Sequence, residues 1–147
     1  MKIAGSTTIE APRERVWTLL NDPEVIARHL PGCESLKSLG DDRYEARLTV
    51  GVGPVKGSYH AQLSIADKRP NEGYSLHVEG SGKSGHVKGG GQVKLIEEGG
   101  KTRLDYSGDL QIGGLIASVG QRVIGTLSRQ MANKFFHGFG RDAESES

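Results

Sequence analysis

The glycine-rich stretch GSGKSGHVKGGG at residues 80–91 has the composition of a phosphate-binding loop. Its first three glycines have the GxGxxG spacing of dinucleotide-binding loops, and Lys83 and Ser84 stand between them. Such loops hold phosphate on the backbone amides at the N-terminus of a following helix. Here the next apolar residues, including Val93 and Leu95, alternate with other residues as in a β-strand. The sequence therefore predicts glycine-rich strands and no nucleotide site.

His29 and Cys33 are the other pair whose residue types could perform chemistry. An imidazole within hydrogen-bond reach of a thiol can activate it as a nucleophile. Pro31 and Gly32 separate the two residues, and this spacing alone does not bring the side chains together. Because a lone cysteine is more often a small buried apolar residue, we do not expect a catalytic dyad here.

Hydrophobic periodicity predicts the elements that must position these residues. Alternation over residues 2–10 indicates a first strand, and the prolines at positions 12 and 23 fit the first turns of two short helices. A period of two then predicts six further strands, at residues 34–39, 43–52, 55–67, 74–81, 86–97 and 102–112. Apolar residues at three- and four-residue spacing predict a last helix from Leu115 to about Phe139. We therefore expect an α+β fold in which a curved seven-stranded antiparallel sheet wraps around the long C-terminal helix.

Length and charge limit the class of protein. The 147 residues suffice for one domain, which we expect over residues 1–140, followed by a polar, disordered tail at residues 141–147. The 19 Lys and Arg against 18 Asp and Glu give a net charge of +1, which argues against nucleic-acid binding. A single cysteine and the lack of an apolar signal or membrane-spanning segment in this sequence predict a cytoplasmic protein.

Strand parity separates the side chains of the concave face from those that face outwards. The acidic residues and histidines of the strands fall on the outward face: Glu45, Glu79, Asp105, Asp109, His60, His77 and His86. The concave face therefore lacks a pair of carboxylates for acid–base catalysis and a ligand set for a metal. We predict no catalytic and no metal-binding residue.

The predicted concave face has no Phe or Trp and many small residues, namely Gly57, Ala61, Gly80, Gly89, Gly91 and Gly108. Two explanations stay open: the long helix packs very close to the sheet, or the space beneath it holds a ligand, because native cores seldom leave large voids. The glycines also concentrate at one end of the sheet, which fits the mouth of a cavity or a strongly bent sheet. All four tyrosines share this face, where their hydroxyls would bond one another, the backbone or the polar head of a ligand.

We predict that an apolar ligand lies between the concave sheet and the last helix. The residues predicted to contact it from the sheet are Leu48, Val50, Tyr59, Leu63, Leu76, Val78, Val87, Gly89 and Tyr106. Those predicted to contact it from the helix are Ile116, Val119, Gly120, Val123, Leu127 and Met131. Tyr59 and Tyr106 are the preferred polar contacts, and no covalently bound cofactor is expected.

Four segments resemble the CoxG family of carbon monoxide dehydrogenase proteins: LPGCESL (30–36), VGVGPVKG (50–57), KGGGQVKL (88–95) and TRLDYSGDLQIGG (102–114). The resemblance implies the helix-grip fold of the START/Bet v 1-like superfamily. It also implies a non-catalytic accessory protein that helps to recruit a molybdenum-dependent CO dehydrogenase-type enzyme to the cytoplasmic membrane. A quinone or lipid-like ligand would suit this role, since the enzyme's electrons must reach the respiratory chain. The protein would then be cytoplasmic, with peripheral contact at the inner face of the membrane.

Two other functions are compatible with the same fold. Related folds include cyclases and hydrolases, which would depend on His29, Cys33 or an inward tyrosine. A scaffold with a filled core would act through its outer surface. The last helix adds a row of basic residues that either meets anionic lipid or a partner, or is ordinary solvated charge: Arg122, Arg129, Lys134 and Arg141.

Overall fold

The structure, a computed structural model, describes residues 1–51 and 56–145. The elements of these described residues follow each other as β1 (Lys2–Ile9), α1 (Arg13–Leu20), α2 (Pro23–His29), β2 (Cys33–Gly40), β3 (Arg43–Val50), β4 (Gly57–Arg69), β5 (Gly73–Gly82), β6 (Gly85–Glu98), β7 (Lys101–Gly113), a 3-10 helix (Leu115–Val119) and α3 (Gln121–Ser145). The predicted α+β helix-grip architecture is confirmed. Val52 and the predicted strand start at residue 55 lie outside the described residues.

The strands form one antiparallel sheet in the order β1-β7-β6-β5-β4-β3-β2. Strands β2 to β7 are a continuous meander, and β1 pairs with β7 to complete the sheet. Burial alternates along the strands as predicted: on β3, Tyr44 and Ala46 are buried, whereas Arg43 and Arg47 are exposed. This alternation gives the sheet one face toward the helices and one toward solvent.

The two short helices begin where the prolines predict. Pro12 is the N-cap of α1, and Pro23 is the first residue of α2, where Asp22 Oδ1 accepts a hydrogen bond from Glu24 N at 3.0 Å. Proline suits these positions because its φ is already helical and its missing amide would have no helical partner. Val16 of α1 packs in the same core cluster as Leu104 of β7, so α1 closes one end of the concave face.

The C-terminal helix differs from its prediction at both ends. A 3-10 helix replaces its first turn, and α3 starts only after Gly120, whose φ of 99° interrupts the helical path. At the other end α3 continues to Ser145, so the domain end predicted at residue 140 and the disordered tail are wrong for residues 141–145. Ala143 is fully buried, and Arg15 Nε donates a hydrogen bond to its carbonyl oxygen at 2.7 Å. These tertiary contacts order a segment whose polar composition alone suggested disorder.

Two clusters of buried apolar residues lie toward the two ends of α3. The large cluster surrounds Phe139, which is fully buried together with Leu20 and Leu104. The small cluster consists of Ile116 and Ile124. The part of the concave face between the clusters is where a ligand was predicted.

Candidate ligand-binding site

Between the two clusters the sheet presents a wall of partly exposed apolar positions. Leu63 of β4, Val78 of β5 and Gly89 of β6 are neighbours in register. Together with Leu76, they lie on the helix-facing side of the sheet and yet remain partly accessible. An aliphatic side chain that points inwards and stays accessible borders space that protein atoms do not fill.

The wall continues onto β3. Leu48 pairs with Tyr59 across β3 and β4, and both side chains are partly exposed. Val50 and Val87, by contrast, pack against the small cluster. The predicted sheet contacts therefore divide into residues that line the wall and residues that close it at the end near Ile116.

Two glycines of the concave face have different surroundings. A Cβ atom at Gly80 would have its nearest neighbour, His60 O, at 3.7 Å, which is an ordinary contact distance. A Cβ atom at Gly89 would overlap the carbonyl oxygen of Asp109. Gly89 therefore allows a close backbone approach between β6 and β7, whereas a Cβ atom at Gly80 would make only ordinary contacts with the neighbouring strand β4. The inward glycine at position 89 is thus explained by strand packing within the sheet.

On the helix side, Val119 and Leu127 pack against the small cluster of Ile116 and Ile124. Met131, one turn further along α3, is partly exposed. Of the predicted helix contacts, Ile116 is the buried one, at 4% exposure.

Val123 is more exposed than predicted. Its exposed fraction is 48%, whereas that of Ile124 beside it is 7%. The break at Gly120 explains the difference, because α3 starts after it with a new helical phase that the predicted unbroken helix did not include. Sequence reasoning therefore missed Ile124, although the glycines before the helix were a signal for an interruption.

Tyr106, predicted as a polar contact for the ligand, already has a protein partner. Its hydroxyl donates a hydrogen bond to Asn133 Oδ1 of α3 at 2.8 Å, and its ring stacks on Phe136 with centroids 4.8 Å apart. Gly5 leaves room for the phenol, since a Cβ atom there would overlap it. Burial raises the pKa of Tyr106, so the hydroxyl is a neutral donor. Tyr106 belongs to the large cluster and marks the other end of the wall.

The four strand acids predicted to face outwards, Glu45, Glu79, Asp105 and Asp109, have polar partners at the surface. Asp109 Oδ1 lies 3.1 Å from the N-terminal amino group, and Glu79 pairs with Lys88 across β5 and β6 at 3.7 Å. Within residues 1–51 and 56–145, no group of three or more His, Cys, Asp or Glu side chains could hold a metal ion.

His29 and Cys33 do not form a dyad. His29 Nε2 lies 2.6 Å from Asp142 Oδ2, whereas Cys33 Sγ donates to Ser35 O at 3.4 Å. Burial raises the pKa of the Cys33 thiol, which disfavours the nucleophilic thiolate. The imidazole instead ties α2 to the last turns of α3.

The same carboxylate of Asp142 also accepts a hydrogen bond from Arg28 Nη1 at 2.7 Å. The hydrogen bond with His29, and after it that with Arg28, holds the pKa of Asp142 below its ordinary value. His29 and Asp142 are 113 positions apart in the sequence. Sequence spacing gave no signal for this contact.

Comparison with known proteins agrees with the architecture and with the four segments. The family model for CoxG, a carbon monoxide dehydrogenase subunit, matches residues 5–143. The chain belongs to this family. A crystal structure of a conserved protein from Geobacillus kaustophilus shares 32% sequence identity with it, with a TM-score of 0.94, and the alignment covers 97% of this chain and 95% of that one.

More distant structures show the fold alone. A START superfamily protein from Mycobacterium smegmatis has a TM-score of 0.78 at 10% identity, with 99% of both chains covered. The structure of Ara h 8.0201 has a TM-score of 0.72 at 11% identity, with 99% of this chain and 98% of that chain covered. The START/Bet v 1-like architecture is thereby established. No curated protein sequence matches the chain at a significant level.

Two of the segments that carry the resemblance to CoxG proteins lie on strands β6 and β7. KGGGQVKL lies within β6, where it includes Gly89, and TRLDYSGDLQIGG extends through β7 to Gly114. The latter contains Tyr106, which is bonded to α3. Of VGVGPVKG, residues 52–55 lie outside the described residues.

The basic row that would meet anionic lipid or a partner, or be ordinary solvated charge, lies on α3 of this CoxG family member. Its side chains follow the helix at Arg122, Arg129, Lys134 and Arg141, and all four are exposed. Among the helices that the structure describes, none combines the length and the apolar character that a membrane crossing requires.

Proposed function

We propose that this CoxG family member binds a quinone or lipid-like molecule between its concave sheet and α3, and that it serves a molybdenum-dependent CO dehydrogenase-type enzyme as a non-catalytic accessory protein at the cytoplasmic membrane. The observation that carries the proposal is the partly exposed apolar wall between the two core clusters. Leu63, Leu76 and Val78 face the helix side there without being buried.

The chemistry of the wall supports an apolar ligand. Its side chains are aliphatic, and the charged side chains of the neighbouring strands point to the other face. Burying about 300 Å² of apolar ligand surface would contribute on the order of 7 kcal/mol before the costs of association. Tyr59, on the β4 side of the wall, is the tyrosine we assign to the ligand's polar head, because it is partly exposed beside Leu48 of the wall.

Family membership supports the choice of partner, because the family is named for a component of carbon monoxide dehydrogenase. A redox enzyme at the membrane needs an electron acceptor, and an apolar carrier site would present one. The basic row on α3 supports contact with anionic lipid, where each Lys or Arg near the surface adds about 1 kcal/mol.

A pair of leucine substitutions on β5 tests the ligand site. Gly80→Leu adds a side chain on the helix-facing side of the wall at a position where a Cβ atom meets no clash, whereas Ser81→Leu places the same side chain on the outward face. We expect the wild type to bind decylubiquinone saturably and its thermal midpoint to rise when the quinone is added. Gly80→Leu should bind the quinone at least about tenfold more weakly, whereas Ser81→Leu should bind it like the wild type. No saturable binding by the wild type, or equal effects of the two substitutions, would contradict the proposal.

The same variants separate a carrier from a scaffold. A carrier with Gly80→Leu would still bind the dehydrogenase in a pull-down but would no longer support electron transfer from the enzyme to quinone. If partner binding and electron transfer both survive while decylubiquinone binding is lost, the protein acts as a scaffold through its outer surface.

A further inference from the structure

We propose that the 3-10 helix Leu115–Val119 is a hinged lid at the small-cluster end of the wall, and that a ligand enters and leaves when this lid swings outwards. The inference rests on the proposed function, because it concerns access to the same ligand site. Its support comes from the backbone at both ends of the lid, from the two faces of the lid and from its attachment to the sheet.

Glycines in the same unusual backbone conformation bracket the lid. Gly114 has φ 82° and ψ −161°, and Gly120 has φ 99° and ψ 147°. Such angles are close to the region that essentially only glycine occupies, and residues held there concentrate at binding sites and switch regions. Glycine can also leave this region at little steric cost. The lid can therefore rotate as a unit about its two ends.

The two faces of the lid differ strongly. Leu115 is 74% exposed, whereas Ile116 is 4% exposed. The cluster that contains Ile116 packs against Val87 and Ile112 of the sheet. Val87 is in register with Gly80 on the helix-facing side of β5. When Ile116 leaves its place, the surface it uncovers continues into the wall.

The attachment of the closed lid is weak enough to break locally. Ile116 N donates to Ser84 O of the β5–β6 hairpin at 2.8 Å, whereas Ala117 N donates to Gly114 O at the lid's own hinge. Gly85 provides the socket for Ile116, since a Cβ atom at Gly85 would lie 2.7 Å from Ile116 Cγ1. Within the described residues, the lid is held by the seated Ile116, by Val119 against the small cluster and by this backbone hydrogen bond to the hairpin. So few contacts can open without global unfolding.

Gly120→Ala tests the lid through its hinge. No atom lies within 4 Å of a Cβ at this position, so alanine adds no clash and acts on the backbone alone. It disfavours the closed conformation in the free and the bound protein alike. In stopped-flow exchange of 1-anilinonaphthalene-8-sulfonate, we expect association and dissociation to become about tenfold faster, a change of ~1.4 kcal/mol in each barrier. The dissociation constant should change less than about twofold.

Gly40→Ala is the matched control. Gly40 also has a positive φ, 83°, and no atom within 4 Å of its Cβ position, but it is the last residue of β2, just before the turn to β3. We expect a comparable loss of thermal stability with unchanged exchange rates of the probe. Equal rates in both variants, or wild-type rates in Gly120→Ala, would overturn the lid.

Hydrogen exchange of the free protein separates failure of the lid from failure of the ligand site. The Ile116 amide should exchange by local opening, faster than the amide of Leu104 in β7, and about tenfold faster still in Gly120→Ala. Exchange of Ile116 only by global unfolding overturns the lid even if the probe binds. Rapid local exchange in a protein that binds no probe supports a moving lid and refutes the ligand site.

Discussion

The two ends of α3 are held in different ways. At the C-terminal end, Phe139 and Ala143 are fully buried, and polar groups of α1 and α2 bond the last turns. At the N-terminal end, Ile124 joins Ile116 in a small cluster, and Gly120 interrupts the chain just before the helix. The first end is fixed by a large core and by charged contacts, whereas the second has a smaller buried core. The proposed ligand site and lid both depend on this asymmetry.

Phe139→Ala should have the largest effect of any single truncation in α3. Its side chain is fully buried in the large cluster, and phenylalanine-to-alanine changes at such sites reduce the free energy of unfolding by about 3–5 kcal/mol. Ile124→Ala, at the other end, should cost about 2 kcal/mol, at the lower end of the range for aliphatic truncation. Urea denaturation measures both. Equal losses would mean that the two ends of α3 contribute alike.

Asp142→Asn should remove a contribution to the free energy of unfolding that depends on pH. Contacts with His29 and Arg28 lower the pKa of Asp142 in the folded protein. Its ionised carboxylate therefore stabilises the fold at pH values above 3.8, the ordinary pKa of the group. This contribution disappears as the pH falls through the lowered folded-state pKa. At neutral pH, loss of these charged hydrogen bonds should cost about 1–3 kcal/mol.

The measurement for Asp142 is the free energy of unfolding as a function of pH. The difference between wild type and Asp142→Asn should be present at pH 5 and should shrink below pH 4. Asp41→Asn, in the exposed turn after β2, is the control and should show no such convergence. A difference that stays constant down to the lowest pH at which the protein folds would show that the carboxylate charge is not what fixes this end.

The sheet was predictable from sequence because each strand carries its own evidence. Alternation along β3 and β4 places Tyr44, Ala46 and Ala61 inwards, and all three are buried. The start of α2 was also predictable from adjacent residues, since Asp22 is its N-cap and Pro23 its first residue. Local rules suffice where neighbours in sequence decide which face is buried.

The ends of α3 were not predictable in this way. The last turns are ordered by Arg15 and His29, which are distant in sequence, so a polar composition pointed to a tail. The first turn depends on how Gly120 breaks the helix, which shifts burial from Val123 to Ile124. The prediction of the ligand site is limited in the same way. Strand parity identifies the inward-facing residues of the wall, but only the tertiary structure shows that Tyr106 is hydrogen-bonded to α3.

Of the three stability predictions, Tyr106→Phe should have the smallest effect. It tests whether Tyr106 belongs to the large cluster at the fixed end of α3 or to the ligand site at the wall. The change removes the hydrogen bond to Asn133 and keeps the ring stacked on Phe136, so the unfolding free energy should fall by about 0.5–1.5 kcal/mol. A double-mutant cycle with Asn133→Ala should assign most of this loss to the pair.

The same variant also tests the ligand site. Because the Tyr106 hydroxyl is hydrogen-bonded to α3, the affinity of Tyr106→Phe for decylubiquinone should stay within about twofold of the wild type, whereas Tyr59→Phe should weaken it. A larger loss of affinity in Tyr106→Phe than in Tyr59→Phe would move the ligand's polar head to the fixed end of the helix.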